Sequence, residues 1–127
     1  MEIVITNNPM ARDRFPGTGA RLLEFYDTDY LGILKVARDR IHLGFNLLTH
    51  PLSGSLKPGE TPYKTLVISA EKGSLDENAL SIIEESIQTC LKFTVKGVLQ
   101  NSEADNRSDK VLRDFQLIDY DLVFSKG

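Results

Sequence analysis

Glu2-Ile3-Val4-Ile5-Thr6-Asn7-Asn8-Pro9 decides how the rest of this chain is read. The β-branched run from Glu2 to Thr6 has the character of a strand covered on both faces, as in sheets flanked by helices. Asn8 followed by Pro9 is a helix start: an asparagine oxygen accepts a free first-turn amide, and proline at the first helical position loses no hydrogen bond. A short helix over residues 9 to 15 follows. Pro16-Gly17-Thr18-Gly19 ends it, and a second strand runs from Arg21 to Tyr26.

Asp27, Thr28 and Asp29 are capable helix caps. Behind them Tyr30, Leu31, Leu34, Ala37 and Ile41 recur at helical spacing, which predicts a helix from about 29 to 42. Gly44 suits a left-handed helix end, and Phe45 to Leu48 form a short third strand. Thr65 to Ala70 supply a fourth apolar run. Asp76 caps a further helix with an inner stripe of Leu80, Ile83, Ile87, Cys90 and Leu91; Cys90 is a small buried apolar residue of that stripe. The polar stretch Asn101 to Ser108 reads as an exposed connection. Val111, Phe115, Ile118 and Leu122 then share one helical face, although Ile118, Tyr120, Leu122 and Phe124 also alternate as a strand would; the helix is preferred.

This order of elements predicts a single small α/β domain over residues 1–127, Rossmann-like, with a mostly parallel sheet of about four strands flanked by helices. Right-handed crossovers give the core strand order 2-1-3. Open α/β sheets bind ligands in the crevice at the carboxyl ends of such strands. Here those ends are Asn7-Asn8-Pro9 and Thr49-His50-Pro51, and the second of them opens a polar loop of about 15 residues, a length usually functional or disordered, with function favoured by its three prolines, His50 and Tyr63.

At that crevice, Asn7 and Asn8 offer amide donors and acceptors, or serve as a turn and a cap. Thr49 adds a hydroxyl. His50 is the one side chain there that changes charge near neutral pH, so it is able to act as acid, base or anion donor, or to anchor local backbone. Ser53, Gly54 and Ser55, with Lys57 and Lys64, have the chemistry to cradle a phosphate or carboxylate, but match neither the phosphate-loop nor the dinucleotide glycine pattern. A Ser/His/Asp set of Ser53 or Ser55, His50 and Asp27 can be drawn without any spacing that enforces it. Nothing resembles a metal-ligand pattern, no cofactor is expected, and Asp114, Asp119 and Asp121 read as a solvated acidic face.

The composition is that of a soluble globular protein: 127 residues, 41% hydrophobic, 26% charged, formal net charge -3. Without a basic face, nucleic acid is not an expected partner. Without an apolar run of about 20 residues or a signal-type start, neither is a membrane, and the cytoplasm is the default compartment, in keeping with a lone cysteine.

Four strings together resemble the GrdX family over nearly the whole chain: Ile-Thr-Asn-Asn-Pro at 5–9, Leu-Leu-Thr-His-Pro-Leu-Ser-Gly-Ser at 47–55, Glu-Thr-Pro-Tyr-Lys at 60–64 and Asp-Phe-Gln-Leu-Ile-Asp-Tyr at 114–120. These are small bacterial proteins encoded with glycine, sarcosine or betaine reductase systems. The resemblance implies an anaerobic cytoplasmic setting and an accessory role, with glycine reductase components as partners, and carries over no catalytic residues. Three functions follow as expectations: an accessory protein binding a small anion or a partner's extended segment, a small enzyme with His50 as general acid or base on an anionic substrate, or a purely structural or interaction protein.

Overall fold

A computed structural model describes residues 2–15, 21–51, 61–96 and 109–124. The elements follow the hydrophobic pattern closely: β1 (Glu2–Thr6), α1 (Pro9–Arg14), β2 (Arg21–Phe25), α2 (Tyr30–His42), β3 (Phe45–Leu47), β4 (Thr65–Lys72), α3 (Glu77–Lys96) and α4 (Asp109–Phe124). The expected caps are in place. Met10 N donates to Asn8 Oδ1 at 3.0 Å, Gly32 N to Asp29 Oδ1 at 2.7 Å, and Asn78 N and Ala79 N to Asp76 Oδ1 at 3.0 and 3.1 Å. Each removes an orphan amide from a helix start. The segment from 109 to 124 is a helix. The polar stretch 101–108 lies outside the described residues.

The sheet departs from the expected topology. Its order is β2-β1-β4-β3, and only β1 and β2 run parallel; β4 is antiparallel to both β1 and β3. The sheet is therefore mixed, and the mostly parallel arrangement with β1 beside β3, in the order 2-1-3, is not formed. The reason lies in the two strands' composition. Thr65 to Ile68 are all buried, whereas Phe45 and Leu47 are half-covered and Asn46 is exposed. The strand able to fill a central place is the more apolar β4, and the three-residue β3 is left at the edge.

The core sits between the sheet and the α2 and α3 helices, where Ile3, Ile5, Ile33, Leu34, Ala37, Ile41, Leu66, Ile68, Ile83, Ile87 and Cys90 form one buried cluster. Leu80 and Leu91 pack partly against it. The stripe expected of α3 is thus the stripe observed, with Cys90 in the core. Gly44, at φ +99°, turns the chain from α2 into β3, and its carbonyl accepts Gly73 N at 2.8 Å. A side chain is strained at that φ.

The α4 helix, in contact with α1 and β4, is seated differently. Val111 and Ile118, expected on its inward face, are exposed at 40% and 38%, as is Leu117, while Asp119 is buried. Asp114 and Asp121 are exposed as expected; Asp119 is the correction to the reading of a solvated acidic face.

Candidate functional site

Because β4 lies between β1 and β3, the two strand ends expected to line one crevice are separated by a strand, or about 10 Å at the usual strand spacing. Asn7, Asn8 and Lys64 gather at a polar junction where β1 ends, β4 begins and α4 crosses. Thr49 and His50 follow β3, which is an edge strand among the described residues. Ser53, Gly54, Ser55 and Lys57 lie outside the described residues. Asp27 follows β2 and His50 follows β3, the two edge strands on opposite sides of the sheet, so the Ser/His/Asp set is not assembled.

At the junction, Asn7 Nδ2 donates to Thr28 O and Pro62 O at 2.8 and 2.9 Å, and Asn7 Oδ1 accepts Lys64 N at 2.8 Å. Asn8 Nδ2 donates to Gln116 O and Asp119 Oδ2, both at 2.9 Å, while its Oδ1 caps α1. Both asparagines are therefore committed to holding loops and α4 together, the structural side of the alternative left open by the sequence. Asp119 Oδ2 also accepts Thr65 Oγ1 at 2.6 Å. With the Thr65 hydrogen directed at Asp119, the 2.7 Å contact between the Thr6 and Thr65 hydroxyls has Thr6 as donor, and Thr6 in turn accepts Asn8 N at 2.9 Å. The result is a relay from Asn8 N through two hydroxyls to a carboxylate, each bond polarising the next.

Burial raises the Asp119 pKa, opposed by the bonds from Thr65 and Asn8 and by the Lys64 charge. Lys64 is only 6% exposed, and its amine lies 5.6 Å from the centre of the Tyr30 ring. Burial lowers its pKa to about 8, with Asp119 acting in the opposite direction. The Tyr30 pKa is raised, chiefly by burial and further by the Asp119 charge, so the phenol stays protonated. Composition alone hides Asp119: among Asp114, Asp119 and Asp121, only tertiary packing distinguishes the buried member.

At the sheet edge, Leu48 N donates to Val67 O at 2.9 Å, and Thr49 Oγ1 accepts Val67 N at 3.1 Å, which extends the β3–β4 pairing by a side chain. The Thr49 oxygen is thereby used as a backbone acceptor. Beyond it, Leu47, Leu48, Thr49 and His50 face Asp76, Asn78, Ala79 and Ile82 at the start of α3 across a groove of about 220 Å³. Leu48 is 48% exposed and His50 is also exposed. Its lining is mixed: Leu47, Leu48, Ala79 and Ile82 are aliphatic, and His50, Asp76 and Asn78 bring an imidazole, a carboxylate and an amide.

The GrdX-like protein family model matches residues 3–126, nearly the full length. The chain belongs to the GrdX-like family. Neither a curated protein nor a solved structure matches it. Two of the strings that carry the GrdX resemblance, 5–9 and 114–120, meet in the structure through Asn8, Gln116 and Asp119. A third, 60–64, ends on Lys64 at the same junction, and the fourth, 47–55, enters the groove at Leu47 to His50. Among the described residues, no helix of this GrdX-like chain is long and apolar enough to cross a membrane.

Proposed function

We propose that the chain is an accessory protein of glycine-reductase-type amino-acid metabolism, and that the groove beside β3 receives an extended segment of a reductase component. The metabolic setting is drawn from the GrdX family. The observation that carries the docking reading is the groove itself, where exposed Leu48 and His50 stand against Ala79 and Ile82 at the edge of the sheet. Among the described strands β3 pairs on one side only, so an incoming segment can add backbone hydrogen bonds there while a side chain enters the groove. The aliphatic residues of the lining suit a Leu, Ile or Val side chain, and the Asp76 carboxylate, whose Oδ1 caps α3, suits a neighbouring donor or basic group through its other oxygen.

The same geometry favours a segment over a small anion. Asn7 and Asn8 have their amides filled from within the chain, Lys64 has Asp119 as a buried counter-charge, and the groove bears a carboxylate. An anion at either place meets an existing negative charge.

The test is direct binding of the purified glycine reductase components, one at a time, by surface plasmon resonance. Leu48→Asp and His50→Ala each weaken the bound complex at least tenfold with an unchanged melting temperature. A parallel melt with phosphate, acetyl phosphate and acetate gives no shift; an anion site would instead raise stability by about 2.7 kcal/mol at a hundredfold excess over Kd. Failure of every component to bind, or binding indifferent to both substitutions, overturns the docking reading.

A further inference from the structure

The α4 helix is held differently from α2 and α3. The buried cluster takes Tyr30, Ile33, Leu34, Ala37 and Ile41 from α2 and Ala79, Ile83, Ile87 and Cys90 from α3, and none of its members from α4. Among the described residues of α4, Asp119 is the one buried side chain, while Leu117 and Ile118 stand exposed. The seat of α4 includes hydrogen bonds gathered within one turn: Asn8 Nδ2 to Gln116 O and Asp119 Oδ2, Thr65 Oγ1 to Asp119 Oδ2, and Gln116 Nε2 to the Tyr63 hydroxyl at 2.9 Å. Such bonds are exchanged for bonds to water when a helix departs, so they hold an element less firmly than buried aliphatic area does. Elements that bury little apolar surface are the ones that open separately from the rest of a fold.

We propose that α4 is a strap that lifts from the sheet as a unit, with Asp119 on Asn8 and Thr65 as its latch, while the sheet and the α2 and α3 helices stay folded. The face it leaves follows from strand alternation. Leu66 and Ile68 belong to the core beneath α2 and α3, so Thr65 and Val67 point the other way, and their register partners Thr6 and Val4 on β1 point with them. Thr65 meets α4 through Asp119, which puts Val67 on the strap side as well. All four residues are buried in the closed protein. On that side α4 is the described helix in contact with β4, α2 touching the same strand from the core side. Lifting therefore uncovers Thr65 and Val67 and frees Asn8 Nδ2 from both of its acceptors. The latch is economical: donors from the ends of two strands converge on a single carboxylate oxygen, so removing that one carboxylate loosens α4 without touching a core residue.

The experiment is native-state hydrogen exchange of the whole protein, read by peptide mass spectrometry. Amides between Leu112 and Asp119 open at least a hundredfold more often than those between Ile83 and Cys90. Asp119→Ala raises the opening of α4 at least a further tenfold and leaves α3 within twofold; should that variant fail to fold, Thr65→Val, which removes one donor at nearly constant volume, carries the same expectation. Lifting is told from fraying in place by iodoacetamide labelling of the Val67→Cys protein, with Cys90 in the opposite layer as internal reference. The introduced thiol reacts at least tenfold faster than Cys90. Exchange of α4 in step with α3 in the wild-type protein overturns the proposal, as does equal acceleration of both helices by loss of the latch. Fast exchange of α4 with an introduced thiol no more reactive than Cys90 overturns it too. Binding of reductase components at the groove beside β3 is untouched by any of these results.

Discussion

Thr65 Oγ1 donates to Asp119 Oδ2 at 2.6 Å, joining the first residue of β4 to a helix 54 positions further along the chain. That bond, with Asn8 Nδ2 on the same oxygen, seats α4 through polar contacts on a surface that helices more often meet with leucines. A helix held this way depends on its hydrogen bonds being complete, because a half-satisfied buried network costs more than an apolar one.

Replacing Asp119 with Ala leaves the Asn8 amide and the Thr65 hydroxyl without this shared acceptor. The expected loss is about 1 to 3 kcal/mol, the range for leaving a buried donor unsatisfied. Asp119→Asn retains a carbonyl acceptor and loses less. Urea denaturation of the two variants separates the cases: equal losses would show that a neutral carbonyl acceptor recovers nothing, and an Asp119→Asn protein as stable as the wild type would show that the charge on Asp119 contributes nothing.

Lys64 makes stability depend on pH in a defined window. Its folded pKa of about 8 lies below the ordinary 10.5, so between those values the unfolded chain binds more protons than the folded one. Stability contributed by this group therefore rises as pH increases from about 8 to about 10.5, and its burial is most costly below pH 8. The span corresponds to about 3 kcal/mol at most. Tyr30 acts in the opposite direction above pH 10, since its folded pKa is raised and the unfolded phenol loses its proton first. The wild-type protein should accordingly gain on Lys64→Met by one to a few kcal/mol, on the order expected from linkage, between pH 7.5 and 9.5. Chemical denaturation at four pH values measures it; a constant difference would place the Lys64 amine in water.

Gly44→Ala tests the turn between α2 and β3. At φ +99° an added Cβ is strained, and it would also press on the Gly73 carbonyl. A loss of more than about 1 kcal/mol is expected, against a gain of about 0.4 to 1 kcal/mol where a glycine sits in ordinary geometry. The sign of the shift in melting temperature suffices to decide.

Truncating Leu34, Ile83 or Ile87 to Ala should each destabilise the fold by roughly 2 to 5 kcal/mol, the range for deleting a buried aliphatic side chain. Leu34 and Ile83 are fully buried and Ile87 is 3% exposed. Changes near zero in urea melts would exclude them from the core.

Local chemistry determined the elements of this protein. Asn8, Asp29 and Asp76 cap helices because each presents a side-chain oxygen to free first-turn amides, and the Ile83, Ile87 and Cys90 stripe faces inward because 3.6-residue spacing leaves it on one side. Those are interactions over a few residues, legible from order alone. Strand neighbours are another matter. That β4, not β3, lies against β1 follows from which strand best fills a place covered on both faces, and that depends on how deeply Leu66, Val67 and Ile68 are covered compared with Phe45 and Leu47. The division of the predicted crevice into a junction at Lys64 and a groove at His50 is a direct consequence. Asp119 is the clearest case: three aspartates on one helix differ little in sequence, and only the approach of Asn8, Lys64 and Thr65, more than 50 residues away in the chain, makes one of them a buried, hydrogen-bonded acid.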